Sequence, residues 1–312
     1  MSNIIDLIAD DLQLPKTLVK SAVDFARSNN RKIIFPKKTG GKRTALQPSV
    51  ESKPIMHWLR LKLIELLPIH MIATGFRANH SILTNADRHR QSAYSVRIDI
   101  ENFFESISFN DFKKTLESNK ATLPSWALEE ATLSLVEKIC FDRDGRLPIG
   151  YPTSPGIANA TMFEIDSALE SLILDTTTFG QAIVSRYADD FTFSTDLRGS
   201  CRAFLEKLEL LLASQTSPTL RINAKKTRFM SRGGGSTLVT GLRINNCGVV
   251  VVHPEYRDHI RLLLKLYSRN TLKQEDIPRL LGHLAHIQNV DPGFFTKLSY
   301  RYHEEISRIR KK

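Results

Sequence analysis

Residues 185–194 read SRYADDFTFS, and this decapeptide decides the fold. β-branched and aromatic residues flank two adjacent carboxylates. Two short strands are therefore predicted, 182–187 and 191–194, with Ala188, Asp189 and Asp190 between them. Like charges side by side at a tight turn repel, and a divalent cation would offset that repulsion. Upstream, RIDIENFF at 97–104 ends a second apolar strand, 94–100, and puts Asp99 near its close. If the strands are neighbours, three acids converge on one point. Hard carboxylate oxygens suit Mg²⁺, and phosphoryl transfer uses paired ions about 3.5–4 Å apart to stabilise both the attacking and the leaving oxygen. Alone, a turn bearing Asp-Asp would be no more than a solvated bend.

Charge points to a polyanionic partner. The chain of 312 residues has a net charge of +11, and 31–62 hold nine Lys/Arg (Arg31, Lys32, Lys37, Lys38, Lys42, Arg43, Lys53, Arg60 and Lys62) against the single acid Glu51. Residues 221–232 add Arg221, Lys225, Lys226, Arg228 and Arg232 without an acid. Clusters of this kind neutralise nucleic-acid phosphate, although a solvated basic face is the plainer alternative. With 41% hydrophobic residues the chain has material for two or three packed subdomains. It contains no run of about eighteen uncharged apolar residues, and MSNIIDLIADD is acidic and amphipathic. A cytoplasmic protein with no membrane partner is expected. Cys140, Cys201 and Cys247 have no metal-finger spacing, so reduced thiols are expected, with neither disulfide nor zinc.

Along the chain, Ile4, Ile5, Ile8 and Leu12 share one helical face, and Pro15 opens a second helix through Leu18, Ala22 and Phe25. Two β-type runs, 33–35 and 44–46, joined at Gly40-Gly41, read as a hairpin with a basic tip. Helices are predicted at 51–67, 109–140, from about 156 to 174, and at 198–213. The dense Pro and Gly of 147–156 exclude regular structure there. A strand pair, 237–244 and 248–252, turned at Asn245-Asn246, precedes a helical C-terminal segment.

Taken together, these segments resemble the reverse transcriptases, motif by motif and in their order. YADD at 187–190 is similar to the family's catalytic signature, DIENFF at 99–104 to the preceding metal motif, and LPIGYPTSPGIAN at 147–159 to the loop contacting template and nucleotide. PKKTGGKR at 36–43 resembles the basic fingers motif, INAKKT at 222–227 the lysine motif with Lys225 and Lys226, and LVTGLRIN at 238–245 the primer grip. The resemblance covers roughly 30–255. Asn85-Ala86-Asp87-Arg88-His89 looks like the NAxxH box, and Val239-Thr240-Gly241 like the VTG triplet, of the retron subgroup.

The resemblance implies an α+β right-hand polymerase fold. Fingers would lie at 29–92 and 110–148, a palm at 93–109 and 149–252, and a helical thumb at 253–312, after an N-terminal helical segment at 1–28. It implies that Asp99, Asp189 and Asp190, with the carbonyl of Ile100, hold two Mg²⁺ ions. Asn102 and Phe103 amides would face the triphosphate, Phe104 would be the steric gate against a ribose 2′-OH, and Lys38 and Arg43 would hold deoxynucleotide phosphates. Ile149 stands where the family usually has Gln, beside Gly150. Asn85 and His89 would contact RNA, although on physical grounds alone they could instead form a local cap or a buried hydrogen bond.

A retron enzyme would bind a cognate structured noncoding RNA, prime from a guanosine 2′-OH, and make multicopy branched RNA–DNA in antiphage defence, with a retron effector protein as a further candidate partner. The thumb, with twelve Lys/Arg against seven acids, would choose the RNA. About sixty residues after the primer grip suffice for a thumb and not for a ribonuclease H or endonuclease domain. Two rivals remain: a non-retron defence or group II intron-like reverse transcriptase, and an idle scaffold that binds RNA and an effector. Three retained acids argue against the scaffold.

Overall fold

A computed structural model describes residues 4–36 and 40–311; Lys38 lies outside the described residues. Helices Ile4–Leu12 and Lys16–Asp24 open the chain, the second directly after Pro15. β1 (Arg31–Pro36) and β2 (Lys42–Gln47) then pair antiparallel as a hairpin, with Gly40 and Gly41 both in the left-handed region that their turn demands.

The central sheet has the order β4-β5-β3-β6, built from β3 (Tyr94–Asp99), β4 (Ile183–Tyr187), β5 (Asp190–Thr195) and β6 (Arg228–Ser231), with every pair antiparallel. One face is apolar: Val96, Ile98, Val184, Phe191 and Phe193 are buried under helices that include Phe163–Leu172 and Ser200–Ser214. Phe193 stacks on Phe204 with ring centroids 4.2 Å apart. The other face is covered as well, and there the alternating residues Ser185, Thr192 and Ser194 are buried and polar. Buried hydroxyls need partners, and that requirement shapes the site described below.

A third sheet of β7 (Thr237–Val239), β8 (Leu242–Ile244) and β9 (Val250–Val252) packs with helices Pro254–Ser268, Ile277–Val290 and Pro292–Arg301. Val239, Ile244 and Val252 share one core with Ile260, Leu284 and Ile287. The boundary expected between 252 and 253 therefore divides elements that bury their apolar faces together.

Several expected elements are interrupted. Residues 237–244 are not one strand but two, because Thr240 and Gly241 both take positive φ, 46° and 83°, and close a two-residue hairpin between Val239 and Leu242. The expected helix 109–140 is split into Phe109–Ser118 and Glu130–Cys140, since Pro124 cannot continue a helix and a 3₁₀ turn, Ser125–Leu128, intervenes. Likewise 156–174 becomes Ser154–Thr161 and Phe163–Leu172, the first starting two residues early because Pro155 is tolerated in a first turn. Among the described residues no helix is long and apolar enough to cross a membrane.

Candidate active site

β3 is the middle of the site. It lies between β5 and β6, and its register sets Asp99 directly opposite Asp190. The turn joining β4 to β5 carries Ala188 at φ 56°, and the Ile100 amide donates to the Asp189 carbonyl at 2.9 Å, tying that turn to the end of β3. The three aspartates thus reach one end of the sheet from two strands.

Two of the three carboxylates hold cations from the chain itself. Lys226 Nζ donates to both oxygens of Asp99, at 2.7 and 3.0 Å. Arg97 Nε and Nη2 donate to Asp190 at 3.0 and 2.5 Å. Side chains two apart on a strand share a face, which is how Arg97 and Asp99 come to front the same cluster. Lys226 arrives because residues 221–223 pair with the end of β3: the Glu101 amide donates to the Arg221 carbonyl, and the Asn223 amide to that of Asp99, both at 2.8 Å. Lys225 is exposed. Burial, and then the neighbouring charges of Asp190 and Asp99, push the Asp189 carboxyl above the usual range, while its backbone hydrogen bond and the Arg43 guanidinium of β2 pull the other way. Among the described residues, no three His, Cys, Asp or Glu side chains are grouped tightly enough to hold a metal ion. The donor set nevertheless suits a hard cation, since its oxygens attract an ammonium and a guanidinium and leave Asp189 repelled.

Beneath the turn lies a charge that sequence reading missed. Arg186 is fully buried, forked onto Asp166 of helix Phe163–Leu172 at 2.8 and 2.5 Å, and it donates to Asn159 Oδ1 at 3.1 Å and to the Ala188 carbonyl at 3.4 Å. Its guanidinium also sits 6.0 Å from the Phe103 ring. Burial pushes the Asp166 carboxyl up, against the pull of Arg186. Segment 72–76 was equally unforeseen. The Arg186 amide donates to the Ile72 carbonyl at 2.7 Å, the Thr74 amide donates to the Arg186 carbonyl at 2.8 Å, and Asn159 Nδ2 holds the Gly75 carbonyl at 2.9 Å. A Cβ on Gly75 would come within 2.8 Å of the Ala188 nitrogen, so only glycine lets this segment lie against the turn.

Of the other expected residues, Phe103 is buried, Phe104 half-buried, and Asn102 exposed at φ 46°. Ile149 meets the hairpin through its main chain, since its carbonyl accepts from the Leu46 amide at 2.8 Å. Gly150 follows at φ 103°, where a Cβ would stand 2.7 Å from the Leu46 carbonyl. Val239 is buried, and Thr240 Oγ1 donates to the Ile82 carbonyl at 3.1 Å.

Asn85 and His89 require a correction. Both are 1% exposed and therefore do not present themselves to RNA. Asn85 Oδ1 accepts from Thr74 Oγ1 at 3.0 Å. His89 bridges Ser194 of β5 through Nδ1 at 2.6 Å and Ser185 of β4 through Nε2 at 2.7 Å. The buried hydroxyls of Ser185 and Ser194 find their partner in this ring, one nitrogen donating and the other accepting. Burial, and then Arg88, lower its pKa to about 3.

The chain is similar to known proteins over most of its length. Residues 35–283 match the family described as reverse transcriptase (RNA-dependent DNA polymerase). The chain is similar to the retron Ec73 reverse transcriptase of Escherichia coli, with 38% identity over 88% of this chain and 87% of the relative. It also resembles the retron Ec83 enzyme of Escherichia coli, with 28% identity and 89% and 88% coverage, and the retron Mx162 enzyme of Myxococcus xanthus, with 32% identity and 83% and 57% coverage. Among solved structures it is similar to a telomerase of Candida albicans, at TM-score 0.51, 12% identity and 90% of this chain, and to a truncated telomerase of Candida tropicalis, at TM-score 0.50, 17% identity and 73% of this chain. It spans only 59% and 55% of those chains, and the likeness speaks for the fold alone.

Proposed function

Given that the chain belongs to the reverse transcriptases, in their retron group, and is an RNA-directed DNA polymerase of right-hand α+β fold, we propose that it copies a cognate structured noncoding RNA into multicopy single-stranded DNA. The observation that carries the reading is the cross-strand placement of Asp99 opposite Asp190, with Asp189 beside them. In this reading synthesis starts from a guanosine 2′-OH and gives a branched RNA–DNA. The protein works in the cytoplasm, in antiphage defence, together with an effector protein.

Asp99, Asp189 and Asp190, with the Ile100 carbonyl, would hold two Mg²⁺ ions, displacing Lys226 and Arg97 from the carboxylates. Bound there, the ions would stabilise the attacking hydroxyl oxygen and the departing pyrophosphate. Arg43, whose charge acts on Asp189, holds incoming phosphates, with Lys38 as its expected companion. Phe104 excludes the ribose 2′-OH. The amides of Asn102 and Phe103 and the loop at Ile149-Gly150 border the nucleotide. Fingers and thumb grip the RNA–DNA duplex through its phosphates and the palm performs the chemistry, with β7–β9 counted with the thumb helices whose core they share.

RNA choice by the thumb is supported by a cleft of about 380 Å³ between helices Pro254–Ser268 and Pro292–Arg301, to which Arg261, Lys265, Lys297 and Arg301 contribute cations; among the described residues no carboxylate lines it, although Asp258 pairs with Arg261 at 2.5 Å. Tyr302 gives it aromatic surface, and the buried Phe294 forms part of its wall. Primer extension on the cognate RNA, with Mg²⁺ and labelled deoxynucleotides, tests the synthesis and the priming in this reading. Asp189→Asn should abolish product while RNA binding in a mobility-shift assay persists, and a 2′-deoxy substitution at the priming guanosine should do the same without touching the protein. Near-normal synthesis by the Asn variant would overturn the catalytic assignment, and synthesis from the deoxy-substituted RNA would overturn the priming assignment.

A further inference from the structure

Phe76 is the residue that neither the catalytic cluster nor the core accounts for. The residue is 56% exposed, yet its backbone is held at φ 57°, a conformation unfavourable for a bulky side chain. Strain of this kind persists only where the surroundings fix it. Here they do, since Gly75 is pressed against Tyr187 and Ala188, Asn159 holds the Gly75 carbonyl, and Thr74 is tied to β4 and to Asn85. All of this anchoring ends by presenting one aromatic ring. That ring lies 6.4 Å from Phe104 at an interplanar angle of 63°, and 6.1 Å from Tyr187. Phe104 also meets Phe103, at 5.4 Å and 70°. Phe103 is itself buried beside Arg186.

Phe104 is thus gripped edge-to-face by one buried ring and one exposed ring. We propose that Phe76 is a positioning residue for nucleotide-sugar selection, whose ring buttresses Phe104 so that it cannot swing away from a ribose 2′-OH. A gate acts by exclusion, and exclusion needs a wall that does not yield. Phe103 supplies that support from inside the protein and Phe76 from the solvent side. Burial cannot explain an aromatic residue that keeps more than half its surface in water, whereas the two ring contacts can. The same anchoring gives Asn85 its place: through Thr74 it secures the segment that ends in Phe76.

The inference rests on Phe104 being the gate, and the test separates the two ideas. Single-nucleotide incorporation by the full chain is measured with dCTP and with CTP, for the parent, Phe76→Leu, Phe76→Tyr, Phe104→Ala and the Phe76→Leu/Phe104→Ala double variant. The readout is the ratio of kcat/KM values for the two nucleotides, which a partial loss of folded enzyme does not move. Phe76→Leu should lower the ratio about two- to ten-fold, the span expected for losing one aromatic pair, mainly by improving use of CTP. Phe76→Tyr should restore it, and the double variant should fall no further than Phe104→Ala alone. An unchanged ratio in Phe76→Leu beside a lowered one in Phe104→Ala would overturn the inference and leave the gate standing. Additive losses in the double variant would also overturn it, because Phe76 would then meet the nucleotide independently. If Phe104→Ala leaves the ratio unchanged, the gate assignment itself fails, and the inference with it.

Discussion

Acidification to pH 5 should weaken this protein through His89 in a calculable way. The ring is buried against Ser185 of β4 and Ser194 of β5, and its pKa is lowered from 6.5 to about 3 by burial and by Arg88. At pH 7 the ring is mostly neutral in both folded and unfolded chains. Below 6.5 the unfolded chain takes up a proton that the folded chain refuses, so stability present above that pH is lost as pH falls, until the folded ring also protonates near 3. The loss is about 1.4 kcal/mol per pH unit, or about 2 kcal/mol at pH 5 from this residue alone. Trp58 and Trp126, whose rings lie 5.3 Å apart, report unfolding by fluorescence. Urea titrations at pH 7 and pH 5 of the parent and of His89→Gln should show the parent losing about 2 kcal/mol more than the variant between the two pH values. His89→Gln will be less stable throughout, since at least one serine hydroxyl loses its partner, but that offset cancels in the comparison. Equal losses in the two proteins would refute the argument that His89 is held neutral by burial against the two serines.

Asp166→Asn leaves Arg186 buried without its counter-charge and should cost about 3–5 kcal/mol in urea unfolding, far more than a surface ion pair; a loss below about 1 kcal/mol would show that the pair is dispensable. Gly75→Ala forces a methyl group toward the Ala188 nitrogen at 2.8 Å. A shift of about 1 Å at the catalytic turn should lower kcat by about 100-fold while RNA binding is retained, as primer extension and mobility shift will show. Lys297→Glu with Arg301→Glu should weaken binding of the cognate RNA and flatten the dependence of log affinity on log salt, by about one unit for each phosphate that is no longer neutralised. An unchanged slope would remove the thumb cleft from the RNA-binding surface.

The strands and their acids were legible because alternation and turn chemistry are local signals. SRYADDFTFS gives two β-rich runs around a charged turn, and RIDIENFF another run ending in an acid, whatever the rest of the chain does. Arg186 was not legible as a buried charge. Its counter-ion Asp166 lies twenty positions away on a helix, and nothing near either residue announces the other. Arg97 could have been anticipated, since it precedes Asp99 by two positions on a strand and must share its face. The NAxxH box was found by resemblance, but its burial depends on the sheet being covered on both faces, a property of the assembled fold. Val239-Thr240-Gly241 was read inside one strand because apolar residues continue on either side, whereas two successive positive φ angles break it into a hairpin.

The short segment that brings Phe76 to the catalytic turn has another effect. A sheet exposes unpaired amides and carbonyls along its outermost strand, which invite the strand of another molecule. At β4 the Arg186 amide and carbonyl that face away from β5 are already taken by Ile72 and Thr74, and Ala73 bridges Arg186 in parallel. The opposite margin, β6, begins with the exposed cation Arg228, a poor template for docking strands. This chain therefore shields its sheet against self-association with the residues that shape its active centre, and a change that frees 72–74 would be felt as loss of solubility as well as loss of synthesis.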